Sequence, residues 1–192
     1  MNKSRLEAFS DGVLAIIITI MVLELKTPHD TSWQSIKPLI PVFLSYALSY
    51  INIGVYWGNH HHLLHTVKSV TSGIIWANLH LLFWLSLIPF ATAWMGESGF
   101  DGIHVAVYGG LQLLCGIAYY ILLQFVVKNN PGNESVLDAL RKQSAKGMVS
   151  IIIYPIAMIV AFFQPYIGAG LIAIVPVIWF IPDKNIERAL HE

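Results

Sequence analysis

The sequence predicts an all-α integral membrane protein with six transmembrane helices, and three observations carry that prediction. Of the 192 residues, 56% are hydrophobic and 11% charged, and the mean hydropathy of +0.64 lies outside the range of ordinary soluble domains. The apolar residues gather into six long stretches separated by short segments of Pro, Gly, Asn and charge. Six Trp and eight Tyr suit anchoring at the two membrane–water interfaces. The formal net charge is zero, which gives no reason to expect a nucleic-acid partner. One cysteine, Cys115, allows neither an internal disulfide nor a multi-cysteine metal site, and it reads as a small apolar core residue. Residues 1–192 are expected to form one membrane domain, neither an enzyme nor a cofactor carrier.

The first span is 5–25. Val13 to Leu23 is apolar except for Thr19, and Pro28 ends any helix. At about 1.5 Å per residue, this length crosses a hydrocarbon layer roughly 30 Å thick. A signal peptide would also place Lys3 and Arg5 before an apolar run. Asp11, however, stands where the signal core would begin, and no small-x-small site follows Leu25. Pro28, His29, Asp30, Ser32, Trp33, Lys37 and Pro38 form turn chemistry with an interfacial aromatic. Pro38 and Pro41 favour short helical pieces over a clean start to the second span, 42–67. That span ends in Tyr56-Trp57-Gly58-Asn59-His60-His61-His62, with His65 beyond.

The third span is 70–95, closed by a polar turn from Glu97 to Asp101, and the fourth is 104–127, closed by the loop Asn129 to Asn133. From Glu134 to Lys146 the pattern is amphipathic, with Val136, Leu137 and Leu140 set against Asp138, Arg141, Lys142 and Lys146. It is expected to lead into the fifth span, 147–163. Gln164-Pro165 turns into the sixth, 166–181, and Pro182-Asp183-Lys184 ends it. No internal repeat is visible. With six spans and an inside amino terminus, nine basic residues fall inside (Lys3, Arg5, Lys68, Lys128, Arg141, Lys142, Lys146, Lys184 and Arg188) and Lys26 and Lys37 outside. That bias predicts that both termini are cytoplasmic.

The chemistry concentrates in the first span. An acidic residue so close to an apolar run costs free energy unless it is paired or reaches water, which singles out Asp11. Arg5-x-x-x-Phe9-Ser10-Asp11, followed by Gly12, Ala15, Ile16, Thr19 and Val22-Leu23-Glu24-Leu25, resembles the opening of the transmembrane protein 175 family. The motif covers the first helix, and the hydrophobic pattern of the whole chain fits the single-repeat members. The resemblance implies a potassium channel of the bacterial plasma membrane. It places a hydrophobic pore constriction five, nine and twelve residues after the motif aspartate, at Ile16, Ile20 and Leu23.

Helical spacing by itself puts Ile16, Ile20 and Leu23 on one face, which could equally pack on neighbouring helices or lipid. As a pore ring, branched apolar side chains offer an ion no replacement oxygens and can gate by dewetting, which favours potassium over sodium. Thr19 borders that face. Its hydroxyl either bonds back to the Ala15 carbonyl or faces the ion, and the resemblance favours a contribution to selectivity. Val107-Tyr108-Gly109-Gly110 has the wrong order for a carbonyl filter and reads as coincidence.

His60, His61, His62 and His65 have no Cys or acidic partner nearby in sequence, so polar contacts at a helix end are expected rather than a zinc site. The family often shows Tyr-Trp-x-x-His-His here, matched by Tyr56, Trp57, His60 and His61. Trp76, Asn78 and His80 in the third span should find partners on the first or second helix, with Arg5, Ser10 and Asp11 the natural candidates. His80 is either a structural hydrogen-bonder or a pH sensor.

One motif supplies one pore helix, and one helix cannot enclose a channel. Two copies leave gaps, whereas four nearly close a ring, so a homotetramer with the first helix innermost and potassium as the permeant ion is expected. The rivals are a small proton- or cation-coupled transporter, using Asp11, Glu24 and the histidines as a relay, and a membrane enzyme with a histidine metal site. Transporters usually show internal repeats or broken half-helices, and neither is evident in the sequence.

Overall fold

The computed structural model describes residues 2–28, 32–129 and 134–180. Among the described residues there are seven α-helices: α1 (Lys3–Ile20), α2 (Leu39–His65), α3 (Ser72–Ser86), α4 (Ile88–Glu97), α5 (Gly102–Lys128), α6 (Glu134–Ala161) and α7 (Pro165–Phe180). Asn130 to Asn133 of the fourth loop, His29 and Asp30, and everything from Ile181 onward, including Pro182-Asp183-Lys184 and Arg188, lie outside the described residues.

The α-helical part of the first span stops before its apolar run does. Its α-turns end at Ile20, and Met21–Glu24 continue as a 3₁₀ turn. A 3₁₀ turn brings residues three apart into line, so the tightening carries Leu23 over Ile20 instead of rotating it away. A separate 3₁₀ turn at Trp33–Ser35 precedes α2. Pro38 caps α2, and Pro41 falls in its first turn, where a missing N–H has no intrahelical partner to lose.

The third span, expected as one helix, is two. Pro89 cannot donate to the Leu85 carbonyl, and the chain tightens at Leu87, whose N–H bonds Trp84 O at 3.2 Å. The turn after α4 is a Schellman motif. Gly99 N–H bonds Gly96 O, Phe100 N–H bonds Met95 O, and both residues adopt positive φ. Asp101 then caps α5 by accepting from Ile103 N–H, and the adjacent His104 ring holds its carboxyl below the usual range. The amphipathic lead-in and the fifth span form one helix, α6, with Leu140 buried and Arg141 exposed.

Among the described residues, five segments are long and apolar enough to cross a membrane: Lys3–Glu24, Leu39–His65, Ser72–Glu97, Gly102–Lys128 and Gln143–Ala161. The sixth, α7, has 16 described residues, a rise of about 24 Å. Consecutive spans run antiparallel, so the first and third spans end on the same side. Lys3 Nζ donates to His65 O at 2.7 Å, Lys26 pairs with Glu97 at 3.4 Å, and Tyr166 OH reaches Gly99 O at 3.5 Å. Small residues set the closest crossings. A Cβ on Gly168 would lie 2.7 Å from Ala161 Cβ and 2.9 Å from Ala157 O, so α6 and α7 approach backbone to backbone. The core between the layers centres on Ile53, Ile74, Leu81, Tyr108, Cys115, Leu122 and Tyr154, all buried.

Candidate pore helix and its polar anchor

The α1 helix has two faces of opposite character. Leu6, Ser10, Leu14, Ile17 and Met21 are buried against the rest of the chain. Ile16, Ile20 and Leu23 point the other way and are 60%, 41% and 75% exposed. Arg5, Phe9, Gly12 and Thr19 are exposed as well. The Thr19 hydroxyl donates to Ala15 O at 2.9 Å and Ile16 O at 3.0 Å, so its proton is turned into its own helix.

The buried face is pinned by a directed hydrogen-bond chain. Ser10 Oγ donates to Leu6 O at 2.8 Å, which leaves it to accept from Asn78 Nδ2 at 2.9 Å. The Asn78 carbonyl oxygen must then accept at its other end, and His60 Nε2 lies 2.6 Å away. With the amide so oriented, His60 carries its proton on Nε2. All three residues are buried, so the loss of any one leaves a desolvated partner unpaired, at a cost of about 1–3 kcal/mol. Beside this chain, Asp11 accepts from the Trp57 indole N–H at 3.0 Å. Ser10 thus reaches α3 and α2, and Asp11 reaches α2.

The other expected members of the network fall elsewhere. Arg5 and Phe9 stand on the exposed side of α1 and do not join the chain of bonds. Trp76 is 71% exposed. His80 finds its partner on its own helix, accepting from Trp84 N–H at 2.9 Å, because α3 turns positions 76, 80 and 83 away from α1. His61 packs on His65 with ring centroids 4.5 Å apart and on Trp57 at 6.1 Å. Among the described residues, no group of three or more His, Cys, Asp or Glu is placed to hold a metal ion.

Two further polar clusters were not anticipated. Ser49 bonds Thr92 at 2.6 Å and Tyr108 at 2.8 Å, tying α2 to α4 and α5. Gln143 donates to Tyr119 OH at 2.7 Å and to Asn59 at 3.3 Å, tying α6 to α5 and α2. Polar residues inside apolar runs were the available signal. Their pairing depends on helix rotation, which the sequence does not state.

The profile of the family described as "Endosomal/lysosomal potassium channel TMEM175" matches residues 5–89, from the Arg5 motif to the break at Leu87 and Pro89. A potassium channel of Chryseobacterium sp. (strain P1-3) is 52% identical over the full length of both chains. A potassium channel of Streptomyces collinus is 28% identical, with 84% of each chain covered. The crystal structure of a lysosomal potassium-selective channel TMEM175 homolog from Chamaesiphon minutus superposes with a TM-score of 0.83 at 25% identity, covering 93% of this chain and 96% of that one. Among vertebrate relatives, the chicken endosomal/lysosomal proton channel TMEM175 is 26% identical over 85% of this chain and 36% of its own. With its motif helix, its bundle and a full-length relative in agreement, the chain belongs to the TMEM175 family of ion channels.

Proposed function

We propose that this protein is a potassium-selective channel of the bacterial plasma membrane, a homotetramer in which α1 of each subunit lines a central pore and both termini are cytoplasmic. The observation that carries the reading is the exposed stripe Ile16, Ile20 and Leu23 on a helix whose opposite face is pinned inside the subunit. Four such stripes around an axis make stacked apolar rings with no oxygen to replace an ion's water. Crossing them favours the ion that dehydrates more cheaply, potassium over sodium. With its proton turned inward, the Thr19 hydroxyl can offer only lone pairs to an ion, which suits a cation-facing role beside Ile16. Arg5, Phe9, Ser10 and Asp11 set the inner end of the helix. Ser10 and Asp11 act through the bonds to His60, Asn78 and Trp57, and Arg5 and Phe9 stand at the inner mouth.

A second reading, proton conduction, is favoured by the vertebrate relatives, which are described as endosomal/lysosomal proton channels. The test is ion flux in liposomes that contain this protein alone. A potassium gradient should set the membrane voltage close to the potassium equilibrium value, with unitary current steps in planar bilayers. A voltage set by an imposed pH gradient instead would establish the proton reading. Flux without unitary steps would favour a transporter.

A further inference from the structure

Two flanks of α1 remain for neighbours. Ser10 reaches α3 and Asp11 reaches α2, and successive helical residues point about 100° apart. The helices α2 and α3 therefore stand on either side of the exposed Ile16 stripe. A ring closed by rotation about an axis in front of that stripe joins the α2 flank of one subunit to the α3 flank of the next, a heterologous contact.

The two flanks have complementary relief. Between α2 and the α6–α7 pair runs a cleft of about 530 Å³ with Ile18 of α1 at its edge. Tyr50, Gly54, Gly58 and His62 form one stripe along it. A Cβ on Gly54 or Gly58 would meet no atom within 4 Å, so nothing in this chain requires glycine there. Gln143 lines the same cleft, is 2% exposed, and has an Oε1 with no partner among the described residues. The α3 flank projects bulk instead. Trp76, His80 and Phe83 are exposed there, with Trp84 beside them.

Heights along the membrane normal match as well. The 2.6 Å bond between His60 and Asn78 fixes α2 against α3, and the two helices are antiparallel. Two residues toward the Glu97 end lead to Gly58 and His80, each about 3 Å away. Six residues lead to Gly54 and Trp84, each about 9 Å away. Two residues the other way lead to His62 and Trp76. Rotation about the normal preserves height, so each bulky residue of α3 arrives at the level of its counterpart on the neighbour's α2.

We propose that the Trp76–His80–Trp84 ridge of each subunit seats in the neighbour's α2 cleft, over Gly58 and Gly54, and that this contact closes the ring. It rests on the tetrameric reading above. The glycines allow the close backbone approach that small residues provide between membrane helices. In a Cys115→Ala background, the pair Gly58→Cys and His80→Cys should cross-link on mild oxidation of membranes and give a ladder ending at four subunits. Either cysteine alone should not cross-link, nor should the height-mismatched pair Gly58→Cys and Phe90→Cys. Gly58→Leu should keep its helicity in detergent but lose the tetramer mass.

A tetramer in which Gly58→Cys and His80→Cys fail to cross-link would overturn the interface alone. So would cross-linking by Gly58→Cys alone, or an intact Gly58→Leu tetramer depleted of a co-purifying phospholipid. A parent protein whose mass is not that of four subunits would overturn the tetramer reading beneath it.

Discussion

The two faces of α1 teach different lessons about why a side chain is where it is. Toward the bundle, Ser10 sits among Leu6, Leu14, Ile17 and Met21, and its hydroxyl is committed both to Leu6 O in its own helix and to Asn78 on α3, which in turn bonds His60 on α2. Away from the bundle, Ile16, Ile20 and Leu23 touch little of their own subunit, so intrasubunit packing does not explain them. The first face is under structural constraint, and in the proposed channel the second is left for permeation. Substitutions should therefore separate stability from ion selectivity along one helix.

The largest effect on the structural side is expected at Asn78. Asn78→Ala strands a buried imidazole donor, at about 1–3 kcal/mol, and removes the bond that Ser10 Oγ accepts, while that hydroxyl keeps its bond to Leu6 O. Thermal unfolding in detergent should drop sharply, while any surviving channel keeps its potassium-over-sodium preference. A loss of selectivity without a loss of stability would break the division between the faces.

Asp11→Ala should act in the same direction but more weakly, at roughly 1 kcal/mol, because its bond to Trp57 is only partly buried and water screens it. Assembly yield is the readout. Normal assembly with altered ion preference would make Asp11 an ion site instead.

The smallest effect is a pH dependence away from α1. The Asp101 carboxyl is held below its ordinary value of 3.8, first by its bond to His104. Its capping of α5 thus contributes above that value and is lost as the pH falls below it. In Asp101→Asn, the part of the acid destabilisation due to this cap should disappear, and unfolding midpoints measured between pH 6 and pH 3 would show it.

Much of this arrangement is legible in the sequence, for physical reasons. Long apolar runs must be helical in a bilayer because every backbone polar group needs an internal partner, which is why the five long helical segments lie over apolar runs of the sequence. The Arg5 to Asp11 motif marks α1, and polar residues within the spans mark Asn78 and His60 as members of a network. What stayed hidden depends on rotation and on single bonds. Nothing in the apolar run signals that α1 tightens to a 3₁₀ turn at Met21. Pro89 could have signalled the break in the third span, since it removes one donor. The outward turn of Trp76 and His80 follows from the way α3 packs, with Asn78 facing α1 and residues two positions away facing outward.

Whether Ile16, Ile20 and Leu23 form the barrier to ions is read most directly from reversal potentials with potassium and sodium on opposite sides of a bilayer. Ile16→Asn places an amide oxygen where the ring withholds one, on an exposed position that the fold does not need. Conductance should rise and the reversal potential shift toward zero, with an unfolding temperature unchanged from the parent. Ile20→Ala and Leu23→Ala should shift it less in the same direction. Unchanged potassium-over-sodium permeability in all three variants would contradict the account and place the selectivity barrier elsewhere.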